Sequence, residues 1–392
     1  MRRLNATVSP ILQAAIAPLV ETESIPPRKS AEAVSELSRL FTKDRRRLSR
    51  SYMDDKTLRA AYLQYFMPVN LAKIQVMLNE MPTLEPVKCF SVLDLGSGPG
   101  TGALAILDWW QQRGLPHALS VTAVDGSTAA LKQARQLWDR YCRATDVGEV
   151  SLQACAEDLE RGAWVDQVRQ KGPFNLIIIA NCLNEVYANV QDPIERRVGL
   201  VGEALSLLAP NGTMMIIEPA LRETSRALHQ VRDRLLQERL CSIYSPCLHG
   251  QSCPALAKPD DWCHEERAWD PPVIVQQIDD QVGFIKDALK FSYLLLRKDG
   301  KTIADRRPDV YRVVSELRTM KGEKRAWLCN EQGRQEVGRQ DRLASPNNEP
   351  FDQWHRGAIV QIEKIVHKER RGKVSVLGRI ERDAAVEIIR SV

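Results

Sequence analysis

The spacing of apolar residues predicts helices at the start of the chain and alternating strands and helices after them. Up to about residue 85 apolar residues recur at helical spacing, and Pro68 is expected to break or kink the second helix. Beyond residue 86, strands are predicted at 90–95, 119–124, near 150, 174–180 and 213–217, helices at 102–112, 128–142, 194–208 and 222–240, and a turn at 210–212. Strands that alternate with helices form a parallel sheet covered on both faces. The pattern therefore indicates an α/β fold with a doubly wound, Rossmann-like sheet.

Less regular segments follow the last of these helices. A stretch dense in Pro, Ser, Gly, Trp and His has no clear period, and polar residues at 345–350 suggest a linker. Strands are predicted again at 291–297, 325–329, 358–366 and 373–380. We therefore expect five regions: N-terminal helices (1–85), the doubly wound domain (86–240), a cysteine-rich insertion (241–275), remaining sheet strands with a basic segment (276–345) and a small β-structured C-terminal module (346–392).

The composition agrees with a chain that buries a large core without disulfides. Hydrophobic residues make up 44% of the 392 residues. The nine cysteines are an ordinary density for this length, which favours reduced thiols or metal ligands in a reducing compartment. No segment approaches the roughly 20 apolar residues of a membrane span, so no membrane contact is expected.

The net charge of +5 is unevenly distributed. Between residues 291 and 346 there are 13 Lys and Arg against 8 Asp and Glu, which equals the excess of the whole chain. Two more basic runs lie at 43–50 and 368–373. Such patches attract phosphate over roughly a Debye length, so nucleic acid is a candidate partner, and solvated faces are the plain alternative.

A glycine-rich segment follows the first predicted strand, where open α/β sheets bind ligands. Its glycines are Gly96, Gly98 and Gly100, and Thr101 occupies the third position of the dinucleotide fingerprint G-x-G-x-x-G. Asp94 precedes them, and a carboxylate there is unhelpful beside a pyrophosphate. It suits the ammonium and sulfonium groups of S-adenosylmethionine. The segment therefore predicts an S-adenosylmethionine site, which makes residues 86–240 the cofactor-binding domain.

Other polar residues at strand ends extend this site. Asp125 ends the next strand, where its carboxylate can accept hydrogen bonds from ribose hydroxyls. Glu157 and Asp158 follow the third strand and can reach the adenine edge, and Asn181 follows the fourth. A glycine-rich turn that binds nothing is the structural alternative, which the agreement of motif, acids and topology disfavours.

The sequence supports cofactor binding more strongly than catalysis. Amino-methylating enzymes of this class carry an Asn/Asp-Pro-Pro-aromatic tetrapeptide after the fourth strand, whereas this chain has Ala180-Asn-Cys-Leu-Asn-Glu185. Cys182 lacks the Pro-Cys context of a cytosine-methylating nucleophile and is expected to pack as a small hydrophobe. Asn181, Asn184 and Glu185 are candidates to line a substrate pocket or to cap the next helix. Whether methyl groups are transferred stays open.

A group of cysteines in the insertion points to different chemistry. Cys247, Cys253 and Cys263 lie close together in the chain, and Cys329 is a fourth candidate. Four thiolates form a site that a zinc ion or an iron–sulfur cluster would neutralise. The intervening stretches of five and nine residues are loose for structural zinc. The Cys253-Pro254 pair is similar to the Cys-Pro of ferredoxin-like ligation.

Other residues keep alternatives to an iron–sulfur site open. His249 and His264 allow a mixed Cys/His zinc site, and free cysteines in a loop are the structural alternative. Cys241 is a fifth candidate, but it ends an amphipathic helix and is expected to pack in the core.

The chain resembles the methyltransferase-like assembly factors of the small ribosomal subunit, represented in mitochondria by methyltransferase-like protein 17 and present in bacteria. The resemblance runs over most of the chain, through residues 60–68, 92–101 and 181–186, the Pro-Cys…Cys-Pro…Cys stretch and Trp354-His-Arg-Gly357. Its most specific part is the union of the glycine motif with Cys247, Cys253-Pro254 and Cys263.

The resemblance implies a class I methyltransferase fold that binds a four-iron, four-sulfur (4Fe-4S) cluster and docks on small-subunit rRNA during assembly. By position, the cluster ligands correspond to Cys247, Cys253, Cys263 and Cys329. The expected protein is a monomer in the bacterial cytoplasm or, for a eukaryotic source, in mitochondria. Two alternatives remain: an active S-adenosylmethionine-dependent rRNA methyltransferase, and a zinc-stabilised small-molecule methyltransferase.

Overall fold

The computed structural model describes residues 8–22, 26–47, 52–370 and 373–391. Parts of the two basic runs at 43–50 and 368–373, including Arg50 and Arg371, lie outside the described residues. Within the described ranges, no helix combines the length and the apolarity that crossing a bilayer requires.

The N-terminal region is helical within its described part. Its helices are α1 (Pro10–Thr22), α2 (Pro27–Thr42), α3 (Lys56–Ala61) and α4 (Met67–Glu80), with one π-helical turn (Tyr62–Phe66) between α3 and α4. The α-helical pattern is interrupted just before Pro68, as expected, because Pro68 lies in the first turn of α4 directly after the π-helical turn. The wider π turn joins the two helices directly.

The central sheet has the predicted doubly wound topology. Its strands are β1 (Cys89–Leu95), β2 (Ala118–Asp125), β3 (Val150–Ala156), β4 (Phe174–Ala180), β5 (Leu208–Pro219), β6 (Ser242–Ser245), β7 (Glu265–Ala268) and β8 (Ala288–Arg297). The order is β3-β2-β1-β4-β5-β8-β6, with β7 also paired to β8. Strands β1 to β5 are parallel, whereas β8 is antiparallel to both β5 and β6. The predicted turn at 210–212 is wrong, since those residues lie inside β5, where its pairing with β4 shifts register.

Helices cover both faces of this sheet. They are α5 (Thr101–Gln112), α6 (Thr128–Ala144), α7 (Trp164–Arg169), α8 (Pro193–Ser206), α9 (Arg222–Gln237) and α10 (Val273–Val282). Ile177 and Ile178 in β4 are fully buried and belong to different apolar clusters on opposite sides of the sheet. Because both faces are covered, the central strands are continuous apolar runs, which is why they could be read from the sequence.

A second sheet forms the C-terminal β module. Its strands are β9 (Val310–Val313), β10 (Arg318–Met320), β11 (Glu323–Asn330), β12 (Gly333–Gln340), β13 (Ile359–Ile362), β14 (Val366–Arg370), β15 (Lys373–Arg379) and β16 (Val386–Arg390). The order is β14-β15-β12-β11-β9-β13-β16, with β10 paired to β11. The sheet begins at Val310, so the expected boundary at 345/346 is wrong: β9 and β11 belong to this module. The expected linker is a 3-10 helix, Pro346–Gln353, with Phe351 fully buried.

A buried ion-pair network joins the two sheets. Arg312 of β9 donates to Glu265 of β7 at 3.2 Å and to the Tyr293 hydroxyl at 2.9 Å. Arg267 pairs with Glu265 at 2.6 Å and with Glu80 of α4 at 3.4 Å. All four charged side chains are at most 5% exposed. Charges that are buried this completely need partners, so these ion pairs fix the orientation of the C-terminal β module against the central sheet.

Candidate functional site

A cavity of about 890 Å³ opens at the carboxyl ends of β1, β2 and β4. This volume is in the range of small-molecule sites. Seven of the eight residues predicted to hold the cofactor line it: Asp94, Gly96, Gly98, Asp125, Glu157, Asp158 and Asn181. They come together because parallel strands present their carboxyl ends at one edge of the sheet.

The glycine-rich loop makes a tight turn that only small residues tolerate. Gly96 has φ +69°, and a Cβ placed there would lie 2.2 Å from the Cys182 Sγ. The N–H groups of Gly96 and Ser97 both donate to the Val124 carbonyl, at 2.9 and 3.1 Å. The loop is therefore pinned to β2 and packed against the segment after β4.

Gly100 differs from the prediction, because it does not line the cavity. Its φ is +86°, and a Cβ there would lie 2.8 Å from the Ala134 Cβ of α6. Gly100 therefore lets α5 begin in close contact with α6, which is a packing role rather than a cofactor contact.

Asp94 lies near the end of β1, and its carboxylate is buried against the start of α5. It is 1% exposed, and the Ala103 N–H donates to its Oδ2 at 2.9 Å. A Cβ at Gly102 would lie 2.4 Å from its Oδ1, so the glycine makes room for the carboxylate. Burial raises the pKa of Asp94 to about 7, although the Ala103 amide favours the charged form. A cationic ligand in the cavity would stabilise the ionised form.

Asp125 joins the ends of β2 and the glycine loop. Its Oδ2 accepts a hydrogen bond from the Gly98 N–H and its Oδ1 one from the Ser127 N–H, both at 2.8 Å. A carboxylate has about four acceptor positions, so both oxygens can still accept hydrogen bonds from a ligand. Burial raises the pKa of Asp125, and the two amides oppose that effect.

The other predicted residues occupy the rim beyond Asp125. Gln167 donates a hydrogen bond to Glu157, and Asp158 accepts one from the Glu160 N–H at 2.9 Å. Asn181 has φ +54°, and its N–H donates to the Ile217 carbonyl at 2.7 Å. Asn181 thus ends β4 in a sharp turn that sends the next residues into the cavity wall.

One wall of the cavity comes from the N-terminal helices, which the sequence did not connect with the site. A hydrogen-bonded chain begins with Lys73, which donates to the side-chain Oδ1 of Asn70 at 3.1 Å. The Asn70 side-chain amide donates to the Tyr62 hydroxyl at 3.5 Å, and this hydroxyl lies 3.3 Å from the Thr101 hydroxyl. Burial, with repulsion from Lys286, lowers the pKa of Lys73 to about 7. Nothing in the local sequence indicated this wall, since α4 is buried on almost all sides.

Asn184 and Glu185, the candidates for a substrate pocket after β4, line the cavity together with Arg45, which was not predicted. Burial and the nearby Glu218 raise the pKa of Glu185 to about 8, while Arg45 opposes the shift. Burial also raises the pKa of Glu218 to about 7. Asn184 faces Glu218, yet neither oxygen of Glu218 reaches hydrogen-bond geometry with a described residue. Burial and Glu185 raise the pKa of Cys182, which works against a nucleophilic thiolate.

The predicted metal ligands form a second candidate site, away from this cavity. Cys247, Cys253 and Cys263 lie in the insertion between β6 and β7, and Cys329 lies in β11 of the C-terminal sheet. Burial, then the charges of the other three thiols, raise the pKa of Cys329. Burial, then Cys247, raise the pKa of Cys263 to about 11. The four thiols are therefore close enough to interact electrostatically, and Cys329 comes from the second sheet.

Helix α9 fixes the shape of the insertion. Arg226 donates to the carbonyls of Lys258 and Asp261, at 2.6 and 2.7 Å. His229 contacts the Cys263 carbonyl at 3.0 Å. Cys241 packs against the apolar core next to this helix, as expected.

The donor set fits a soft metal group by its chemistry, but not a single compact ion site. The Cys329 Sγ is 3.7 Å from the Nε2 of the buried His249. Among the described residues, no group of three or more His, Cys, Asp or Glu side chains is arranged to hold one metal ion. Each thiolate of an iron–sulfur cluster binds a different iron, so its ligands stand farther apart than those of one zinc ion.

The strand order, the antiparallel β8 and the glycine loop at the cavity define a class I methyltransferase fold, which confirms the expected fold class. The family model described as mitochondrial small ribosomal subunit Rsm22 matches residues 56–339. The chain therefore belongs to the Rsm22 family, and the resemblance expected from the sequence is confirmed. No curated protein matches the chain.

Solved methyltransferase structures match the chain only weakly. The CcbJ methyltransferase of Streptomyces caelestis is 17% identical over 38% of this chain and 48% of its own, with a TM-score of 0.26. The fibrillarin/Nop5p complex is 13% identical over 59% and 82%, with a TM-score of 0.32. NSun6 from Pyrococcus horikoshii is 12% identical over 60% and 52%, with a TM-score of 0.35. This chain thus spans about half the length of CcbJ. The fold assignment rests on the strand order of this chain itself.

Proposed function

We propose that this protein is an S-adenosylmethionine-binding factor of the small ribosomal subunit that contacts rRNA and carries an iron–sulfur cluster in its cysteine-rich insertion. The cavity at the carboxyl ends of β1, β2 and β4 is the observation that carries the proposal. The family description supports the ribosomal partner. We further propose that the protein acts as a monomer in mitochondria or in the bacterial cytoplasm.

The cavity supports S-adenosylmethionine through complementary charge and hydrogen bonding. Asp125 has acceptor positions left for two ribose hydroxyls, and Glu157 and Asp158 lie beyond it, where an adenine would follow. The buried Asp94 provides negative charge beside the glycine loop for the ammonium end. The ligand's charge would return the Asp94 pKa toward its ordinary value, so binding releases a proton near neutral pH.

Isothermal titration calorimetry with S-adenosylmethionine tests this site. We expect Asp125→Ala to weaken binding at least about tenfold, because a hydrogen bond to a charged group contributes about 1.5–3 kcal/mol. Asp166→Ala, at an exposed position on α7, is the matched control and should bind like the wild type. Absence of binding by the wild-type protein would remove the cofactor from the proposal.

The thiol group supports a cluster through its donor chemistry. Cys247, Cys253, Cys263 and Cys329 supply four soft ligands, and burial makes the free thiolate forms of Cys253, Cys263 and Cys329 costly. A bound iron–sulfur group would supply redox-active metal and compensate the thiolate charge. By tying the insertion to β11, it would also link the two sheets.

Metal analysis of protein purified without oxygen tests the cluster. We expect brown protein with iron and acid-labile sulfide, both lost in Cys253→Ser. Cys155→Ser, at a buried cysteine in β3, should retain both. Colourless wild-type protein with one zinc per chain would replace the cluster by the zinc alternative.

The RNA contact rests on fewer basic side chains than the sequence suggested. Arg297, Arg312 and Arg339, from the basic segment at 291–346, are at most 4% exposed and engaged in ion pairs. Lys321, in the turn between β10 and β11, and Arg342, in the short 3-10 helix after β12, remain exposed. We expect the protein to sediment with purified small subunits at roughly physiological salt and to dissociate as salt increases. Failure to sediment would favour a small-molecule methyltransferase.

An active rRNA methyltransferase is the second candidate, and Glu185 favours it. This residue lines the cavity, and its pKa of about 8 suits exchange of a proton with a methyl-accepting group near neutral pH. Transfer of labelled methyl groups to rRNA that is lost in Glu185→Gln would establish the activity. Small-subunit binding without transfer would leave the protein as an assembly or translation factor.

A further inference from the structure

Arg232 of α9 is a fully buried arginine that faces the loop between Cys247 and Cys253. Its side chain is 0% exposed. One of its terminal nitrogens donates to the Gln251 carbonyl at 2.8 Å, and the other to the His249 carbonyl at 2.9 Å. A buried guanidinium is costly unless charge and hydrogen bonding compensate it, so its position requires explanation.

The neighbouring Asp233 holds the same loop from its other end. The Cys253 N–H donates to Asp233 Oδ2 at 2.9 Å, and Arg232 also pairs with this carboxylate. Two adjacent residues of one helix thus fix the backbone on both sides of Gln251.

The surroundings of Arg232 point toward the thiols. Burial alone would lower its pKa, but the charges of Cys247, Asp233 and Cys253 raise it above its ordinary value. Its buried Nε has no hydrogen-bond partner among the described residues. A terminal nitrogen of Arg232 also lies 3.5 Å from the His249 Nδ1, and the His249 Nε2 lies 3.7 Å from the Cys329 Sγ, so one imidazole ring separates the guanidinium from a thiol.

We propose that Arg232 is a positioning residue for the thiol site, which supplies a fixed positive charge beside the bound cluster and holds the 247–253 loop in a shape ready for ligation. The inference rests on the proposed iron–sulfur cluster. Thiolates around an iron–sulfur core leave net negative charge, and gaining one electron increases it. A buried positive charge stabilises the more negative state more strongly, so Arg232 raises the reduction potential.

Anaerobic redox titration followed by electron paramagnetic resonance tests this role, with dithionite as the electron source. We expect Arg232→Met to shift the midpoint potential to more negative values and Arg232→Lys, which keeps the charge, to stay near the wild type. Arg226→Met is the matched control, because it removes a similar clamp on the carbonyls of Lys258 and Asp261. It should leave the potential unchanged.

The outcomes separate this inference from the cluster itself. Wild-type protein without iron would refute the cluster, whereas a loaded Arg232→Met with the wild-type potential would refute only the role of Arg232. An equal shift in Arg226→Met would also overturn it, because general loosening of the insertion would then suffice. If Arg232→Met binds no iron, Arg232→Lys decides: recovered iron supports a role of the charge, and an empty protein refutes it.

Discussion

Replacing Gly96 by alanine would place a methyl group where the cavity wall has no room. The new Cβ would lie 2.2 Å from the Sγ and 2.6 Å from the Cβ of Cys182, at a φ of +69°. A left-handed backbone costs a non-glycine residue about 1–2 kcal/mol. Displacing a packed neighbour costs about 1–3 kcal/mol more. We therefore expect Gly96→Ala to lower the free energy of unfolding by about 2–5 kcal/mol.

Urea unfolding followed by tryptophan fluorescence measures this change, and calorimetry with S-adenosylmethionine measures its effect on the site. Gly114→Ala is the matched control, because Gly114 has φ +56° and no neighbour within 4 Å of the added Cβ. Its free energy of unfolding should fall only by the backbone cost of about 1–2 kcal/mol, and its affinity for S-adenosylmethionine should match that of the wild type.

A second set of variants separates the steric cost from the backbone cost. In the Gly96→Ala background, Cys182→Ala removes the Sγ but keeps the Cβ at 2.6 Å, whereas Cys182→Gly removes both atoms. Double-mutant cycles should show a favourable coupling that is larger for Cys182→Gly. The reasoning is refuted if Gly96→Ala is no less stable than Gly114→Ala, or if neither change at Cys182 shows a favourable coupling energy with Gly96→Ala.

Three further predictions concern buried polar groups. Asp94 has a folded-state pKa of about 7, well above its unfolded value, so the folded protein holds this proton more tightly than the unfolded chain does. The free energy of unfolding should therefore fall by up to about 4 kcal/mol as pH rises from about 4 to 7. Urea unfolding at several pH values should show this slope when the Asp94→Asn values are subtracted from those of the wild type. Arg312→Met should cost about 3–5 kcal/mol in calorimetric unfolding, since it leaves Glu80 without one of its cations. Tyr65→Phe should cost about 1–3 kcal/mol in urea unfolding, because it removes a buried 2.5 Å hydrogen bond to Asp279; an unchanged midpoint would contradict this.

The half of the cavity formed by the glycine loop and the strand ends was largely predictable, because its signals are local. Gly96, Gly98 and Asp125 lie at the ends of continuous apolar strands, and parallel pairing brings such ends together. Lys73 and Arg45 were not predicted, since nothing in the sequence around them indicates that the N-terminal helices fold over the sheet edge.

The C-terminal module shows where local patterns are insufficient. The strand predicted at 325–329 is β11, but it was assigned to the wrong sheet, because its partners β9 and β12 are determined by pairing rather than by its own apolar pattern. The role of Arg232 was not predictable from the sequence either. Helix α9 has an ordinary amphipathic pattern, and only the packing of the insertion against it buries Arg232.

By itself, the sequence determined the doubly wound sheet and the glycine loop, because short-range periodicity and motif spacing encode them. Only the tertiary structure decided that Gly100 packs against α6, that Cys329 reaches the insertion from a second sheet, and that Arg232 lies buried beside the thiols. These features depend on contacts between residues far apart in the chain. The strands and helices that make those contacts have the same local pattern whichever partner they meet.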